Sequence, residues 1–166
     1  MIIVFRGRPG VGKSTIASSL AYSLDAKLIA KDDINDIIFA KFGANKVASE
    51  LSYDVISYVV ELFQSPEKRI VIDCSLASYA SYQQFVKLAA RLNCELRIVH
   101  VTVDDTDEIE RRLASRTDLP DHRIKTSNDI HKLQLSYDDF SIDGEIHLDG
   151  AAEVAKNVDK ILVNIK

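Results

Sequence analysis

The sequence has little of what marks secreted, membrane-bound or multidomain chains. Two cysteines, Cys74 and Cys94, are too few for a disulfide framework and predict free thiols in a reducing cytoplasm. No stretch approaches the roughly 20 consecutive apolar residues of a membrane span, so no membrane association is expected. The chain enters an apolar strand at Ile2, which is expected to leave no room for a signal peptide. Pro, Gly and Ser nowhere cluster into a linker, and no internal repeat or low-complexity tract appears. Residues 1–166 are therefore expected to form one domain, a length at which folding buries about 70% of the extended chain's surface. Bulk positive charge is missing as well. A net charge of −4 argues against holding long nucleic acid by electrostatics, although a local basic groove stays compatible with it.

What is present begins at Gly7. Gly7-Arg8-Pro9-Gly10-Val11-Gly12-Lys13-Ser14, followed by Thr15, fits the phosphate-binding loop pattern G-x-x-x-x-G-K-S/T. Glycines let the backbone curl so that successive N–H groups point at the phosphates, and a following helix adds its positive end. Lys13 would reach the β- and γ-phosphates, and the Ser14 hydroxyl would ligate Mg²⁺. The flanks agree with this reading. Ile2–Phe5 is a short apolar run suited to a buried strand, and Ile16, Leu20 and Leu24 recur at helical spacing after the loop. An N-K-x-D segment, which a guanine-reading G protein needs, is absent.

Further along, Lys27–Ala30 reads as a second strand that ends in Lys31-Asp32-Asp33. The paired carboxylates either serve chemistry or cap a helix starting near Ile34. Val47, Leu51, Val55, Tyr58, Val59 and Leu62 stripe a helix that Pro66 ends, and the aromatics Tyr53, Tyr58 and Phe63 are expected in its core face. Arg69–Asp73 is the third strand. Its terminal Asp73 lies where open α/β sheets bind ligands, either orienting Mg²⁺-bound water or the acceptor, or bonding to its own turn. Cys74 is read as a small buried side chain and His100, within the fourth strand Leu96–Val103, as a core histidine. Arg112 and Arg116 are four apart and share a helix face, as a triphosphate clamp or as surface partners of Glu108, Glu110 and Asp121. A short fifth strand, Ile146–Leu148, leads through Asp149-Gly150 to a closing helix striped by Val154, Val158, Ile161 and Leu162. Five strands alternating with helices predict a three-layer α/β architecture with a mostly parallel sheet.

With these residues in place, the chain resembles the small P-loop kinases grouped with polynucleotide 5′-hydroxyl kinases, zeta toxins, gluconate kinase and chloramphenicol phosphotransferase. The resemblance runs through essentially the whole length. It implies a five-stranded parallel sheet in the order 2-3-1-4-5 with helices on both faces, covering helices over about 34–66 and an arginine-bearing lid over about 108–125. It implies ATP and Mg²⁺ as cofactors, with residues 7–15 and Arg112 on the nucleotide and Ser14 and Asp73 on the metal. Asp32, or Asp33 as a close second, would accept the proton of a hydroxyl acceptor, and Arg112 and Arg116 would steady the transferring phosphate, with Arg123 a further candidate. The chain departs from polynucleotide kinases in two places. Asn35 stands where they carry an arginine for the acceptor's phosphate, and Cys74-Ser75 follow Asp73 in place of a small residue and Thr or Asn. The expected function is ATP-dependent transfer of the γ-phosphate to a polynucleotide 5′-hydroxyl, a nucleoside or another small polar molecule, by a monomer or homodimer. The rival expectation is a nucleotide-binding regulatory switch that transfers no phosphate to a substrate.

Overall fold

The computed structural model describes residues 1–115 and 140–165. Strands β1 (Ile2–Arg6), β2 (Lys27–Ala30), β3 (Ile70–Asp73), β4 (Leu96–Thr102) and β5 (Ile146–Asp149) form one sheet in the order β2-β3-β1-β4-β5, with every pairing parallel. This is the order the resemblance implied. Helices α1 (Lys13–Ser23), α2 (Lys31–Phe42), α3 (Lys46–Phe63), α4 (Tyr79–Arg91), α5 (Thr106–Ala114) and α6 (Val154–Asn164) complete the described elements.

The period of two along β1 builds a core on each side of the sheet. Ile3 and Phe5 pack with Ile16 and Leu20 of α1, Ile109 and Leu113 of α5, and Val158 and Ile161 of α6. Ile2 and Val4 pack on the other face with Tyr53, Ile56 and Val60 of α3 and Phe85 and Leu88 of α4. With helices on both faces, β1 is buried along its whole length, as an all-parallel sheet requires. Among the described residues no helix is long and apolar enough to cross a membrane.

Two local expectations need correction. Helix α2 begins at Lys31, not near Ile34, and its N-cap is Ala30 without a side-chain hydrogen bond. Neither Asp32 nor Asp33 is therefore a cap; both lie in the first turn. The cause is Lys31, which is buried and donates to Asn35 Oδ1 at 3.3 Å and to Ser49 Oγ at 3.2 Å while its ammonium sits over the Tyr53 ring. An i to i+4 contact of this kind requires helical backbone from Lys31 onward.

The second correction concerns α3. Its buried face is Ala48, Ser52, Tyr53, Ile56 and Val60, whereas Val47, Leu51, Tyr58, Leu62 and Phe63 of the expected stripe and aromatic set are exposed. Ser52 fits the buried face because its hydroxyl donates to Asn35 Oδ1 at 2.6 Å and to the Ala48 carbonyl at 3.0 Å.

One charge lies in the interior of the sheet. Arg6, fully buried at the end of β1, donates to Glu145 Oε2 at 3.0 Å and to the Phe140 carbonyl at 2.8 Å, and its guanidinium stacks 4.0 Å from the Phe140 ring centroid. Removing one partner of so buried a pair costs about 3–5 kcal/mol, because the other charge is left unbalanced.

Candidate active site

The loop from Gly7 to Gly12 joins β1 to α1 with positive φ at Gly7 (139°), Gly10 (87°) and Gly12 (94°). These angles come with crowding. A Cβ on Gly7 would lie 2.2 Å from the Val101 carbonyl oxygen, and one on Gly10 would lie 2.9 Å from Ile109 Cγ2. Only glycine therefore serves at these two turns. Val11 is buried in the core and pins the loop, while Arg8 is exposed and Pro9 half-buried on its rim. The Gly7 N–H donates to the Ser75 carbonyl, tying the loop to the end of β3.

Gly12 is the N-cap of α1 in the left-handed conformation. It supplies no side chain to the cap, and the first turn, Lys13 to Ser14 and Thr15, carries no acidic residue. The N-terminal N–H groups and the positive end of the helix dipole therefore face a glycine cradle, which is the donor set a nucleotide's phosphates need. Lys13 folds back over the loop, its ammonium donating to the Arg8 carbonyl at 2.9 Å. Ser14 and Thr15 are exposed at the helix start.

Arg112 is brought to the same place from the other side. Its Nη1 donates to the Gly150 carbonyl at 3.1 Å and lies 3.7 Å from where a Cβ on Gly12 would stand. Its Nε donates to Glu108 Oε1 at 2.7 Å, and Arg111 binds the other carboxylate oxygen. Hydrogen bonds from Arg111 and then Arg112 hold the Glu108 carboxyl below the usual carboxylate range. The ion pair with Glu108 expected for Arg112 is thus present, and another nitrogen of the same side chain bonds to the Gly150 carbonyl beside the loop. Arg116 and Arg123 lie outside the described residues, as does the part beyond Ser115 of the segment expected to form a lid.

Asp73 ends β3, level with Phe5 on one side and Ala30 on the other. The register places it beside the P-loop entry and the start of α2, so Asp32, Asp33 and Asp73 share one sheet edge with Lys13. Asp32 and Asp33 are exposed and Asp73 is half-buried. Cys74, directly after Asp73, is buried and donates to the Phe5 carbonyl at 3.5 Å. Burial, with the Asp73 charge next, pushes its thiol up to about 12, against the pull of Lys31 and Lys13. Native Cys74 is expected to resist thiol reagents at pH 8 while the half-buried Cys94 reacts, and denaturant should release both; a fast-reacting Cys74 in a Cys94→Ser variant would contradict this. Because the folded value is raised, its ionisation works against the fold only as the pH climbs past about 9, where an unfolded thiol ionises.

Sequence reasoning missed two contributors. Lys31 had no role assigned, and only its burial beside Asn35 shows it at this edge. Gly150 was read as a turn, but a Cβ there would lie 1.9 Å from the Val11 carbonyl oxygen, so the turn after β5 presses directly on the P-loop. Gly150→Ala is expected to displace the loop, weaken nucleotide binding and cost about 1–3 kcal/mol, the usual size of overpacking. Nucleotide titration and thermal melting check this, and no change in either would show that the contact is dispensable.

A family model described as AAA domain matches residues 2–138. No curated protein matches the sequence. Among solved structures, a gluconokinase from Sinorhizobium meliloti 1021 is similar over 98% of this chain and 89% of its own, with TM-score 0.73 and 18% identity. Kti12 from Chaetomium thermophilum, in complex with ADP-AlF3, is similar over 100% of both chains, with TM-score 0.73 and 17% identity. The Mycobacterium tuberculosis APS kinase CysC, in complex with AMPPNP and APS, is similar over 99% of this chain and 96% of its own, with TM-score 0.70 and 13% identity. At these identities the likeness establishes the P-loop kinase-like fold.

Proposed function

We propose that this chain, which belongs to the AAA-domain family matched over residues 2–138, is an ATP-dependent kinase that transfers the γ-phosphate to the hydroxyl of a small polar acceptor. The observation that carries the reading is the Arg112 guanidinium at the rim of the Gly12 cradle, held there by the Gly150 carbonyl. A nucleotide that is only held needs the loop. A phosphoryl group in transfer also needs cations aimed at its equatorial oxygens, because charge is spread there in the transition state.

In this reading residues 7–15 hold the phosphates and Lys13 balances the β- and γ-oxygens. Mg²⁺, held by Ser14 with Asp73 nearby on the sheet edge, would supply charge neutralisation between those oxygens when bound. Asp32, with Asp33 beside it, takes the acceptor's proton; the N-cap of α2 is Ala30 and neither aspartate. Arg112 acts on the moving phosphate, together with Arg116. Nucleotide-bound relatives with the same fold, in complex with ADP-AlF3 and with AMPPNP, support ATP as the donor.

The choice of acceptor rests on Asn35. Its Oδ1 accepts from Lys31 and from Ser52 in the packed seam between α2 and α3, so that position offers no cation to an acceptor's phosphate. With a net charge of −4, this favours a small polar molecule over nucleic acid.

The test is transfer of γ-labelled phosphate to a panel of hydroxyl compounds that includes sugars, sugar acids, nucleosides and 5′-hydroxyl DNA and RNA. Labelling of a small acceptor is expected. Labelling of DNA or RNA ends alone would overturn the acceptor class, and nucleotide binding without transfer to any acceptor would favour a switch. Once an acceptor is known, Arg112→Ala is expected to lower kcat by about 10²–10³-fold with a much smaller change in ATP affinity, since the interaction strengthens as charge develops. An equal loss of ATP affinity with kcat unchanged would assign Arg112 to ground-state binding.

A further inference from the structure

On the sheet face away from α1, three residues stand in one row. Arg6 of β1 pairs with His100 of β4, and His100 pairs with His147 of β5. Since Phe5, Val99, Val101, Ile146 and Leu148 all belong to the core on the α1 face, the alternation of strands puts Arg6, His100 and His147 together on the other face. Glu145, just before β5, reaches into this row. Its Oε2 is taken by Arg6 at 3.0 Å, which leaves Oε1 between the two imidazoles, 3.4 Å from His100 Nδ1 and 3.4 Å from His147 Nε2.

We propose that His100, Glu145 and His147 bind a divalent transition-metal ion of the zinc class, at a site separate from the nucleotide. The spacing supports it. Four ligands about 2.0–2.1 Å from a tetrahedral ion lie about 3.4 Å apart, and two edges of the ligand triangle already have that length. The three ligand atoms all lie within 4.8 Å of one another, and His147 is exposed, so its ring is free to turn and shorten the remaining edge. The buried Nδ1 of His100 has Glu145 Oε1 3.4 Å away but makes no well-aligned hydrogen bond among the described residues, a looser arrangement than a buried imidazole nitrogen ordinarily has.

The ligand types select the ion. Two imidazoles and one carboxylate suit Zn²⁺, Co²⁺ or Ni²⁺, whereas Mg²⁺ and Ca²⁺ prefer all-oxygen sites. Three protein ligands leave a fourth position to water or another donor. Arg6 serves as the outer shell, since by fixing Oε2 it orients Oε1 toward the ion. Burial, with the Arg6 charge next, lowers the pKa of His100 against the pull of Glu145, the direction that favours a neutral imidazole. The bound ion would fasten β5 to β4 and to the end of β1, one residue before the phosphate-binding loop.

The experiment uses the full chain with any affinity tag removed and prior metal stripped by chelator. Calorimetric titration with ZnCl₂ is expected to show one equivalent bound at micromolar affinity or tighter, and CoCl₂ should produce visible d–d absorption of a low-coordinate site. A rise in melting temperature with ZnCl₂ should accompany binding. His147→Ala, at an exposed position that the fold does not need, should weaken binding at least about 100-fold, since loss of an outer-shell partner alone costs about 10–100-fold. His100→Ala should do the same, and Cys94→Ser should bind like the parent. Absence of micromolar Zn²⁺ binding would overturn the proposal, as would parent-like binding by His147→Ala or its loss in Cys94→Ser.

Discussion

Phosphoryl transfer by Lys13→Ala is expected to fall by about 10³-fold or more, to the limit of detection with γ-labelled ATP. Lys13 is the first residue of α1, directly after the Gly12 cap, so the backbone that cradles the phosphates also fixes where its side chain starts. Its ammonium already reaches the Arg8 carbonyl, across the mouth of the loop. No other lysine of the described P-loop could replace that charge. In a site walled by the loop, a lost cation is worth more than in water, and removing a single donor to developing charge commonly costs about 10²–10³-fold. The side chain is not part of either core, so the variant should melt close to the parent, which separates a lost charge from a lost fold. Retention of more than half the parent activity would remove the loop from the chemistry and the proposed function with it.

Much of this architecture was legible because its signals were local. The strand, glycine loop and helix at the N-terminus are specified by contiguous residues, and the short apolar run at 70–72 carries the hydrophobicity of a strand buried on both faces, whereas Arg97, His100 and Thr102 interrupt the run at 96–102. The sheet order came from the resemblance rather than from periodicity, which says nothing about which strands are neighbours. What misled was α3. Its residues 47, 51 and 55 and its residues 48, 52 and 56 form two rows one position apart, and the more hydrophobic row is the one that stays outside the core, with Val47 and Leu51 exposed and Val55 half-buried. The choice is made by Ser52 and Asn35, whose hydrogen bond across the seam lets a polar residue occupy the buried row. No count of apolar residues contains that contact, because Asn35 belongs to another helix.

The site was legible to a similar depth. The P-loop and Asp73 follow from motif and strand end, and Arg112 from its place in a basic helix. The approach of Gly150 to Val11 and the burial of Lys31 were not, since both depend on how elements distant in sequence meet. Arg6 illustrates the same limit. An arginine ending an apolar strand carries no sign that it will be enclosed, and only the arrival of Glu145 and Phe140 from more than a hundred residues away makes its burial tolerable.

Asp32→Asn is expected to cut phosphoryl transfer by about two to four orders of magnitude while leaving ATP binding nearly intact. The argument starts from the helix boundary. Had Asp32 or Asp33 been the N-cap of α2, its carboxylate would be spent on backbone N–H groups and the capping role would account for its presence; instead Ala30 occupies that position. Both carboxylates lie exposed in the first turn of α2, at the sheet edge shared with Asp73 and the loop. A base placed there can take the acceptor's proton and align its oxygen for in-line attack, effects worth about 10²–10⁴-fold together with positioning. It contributes little to a nucleotide already held by the loop, so the substitution should act on kcat and not on the affinity for ATP. Asp33→Asn is the paired measurement, and a large effect in one variant with a small effect in the other identifies the base. Parent-like transfer by both variants with the true acceptor would move the base to Asp73, and the two carboxylates would then serve only the dipole of α2.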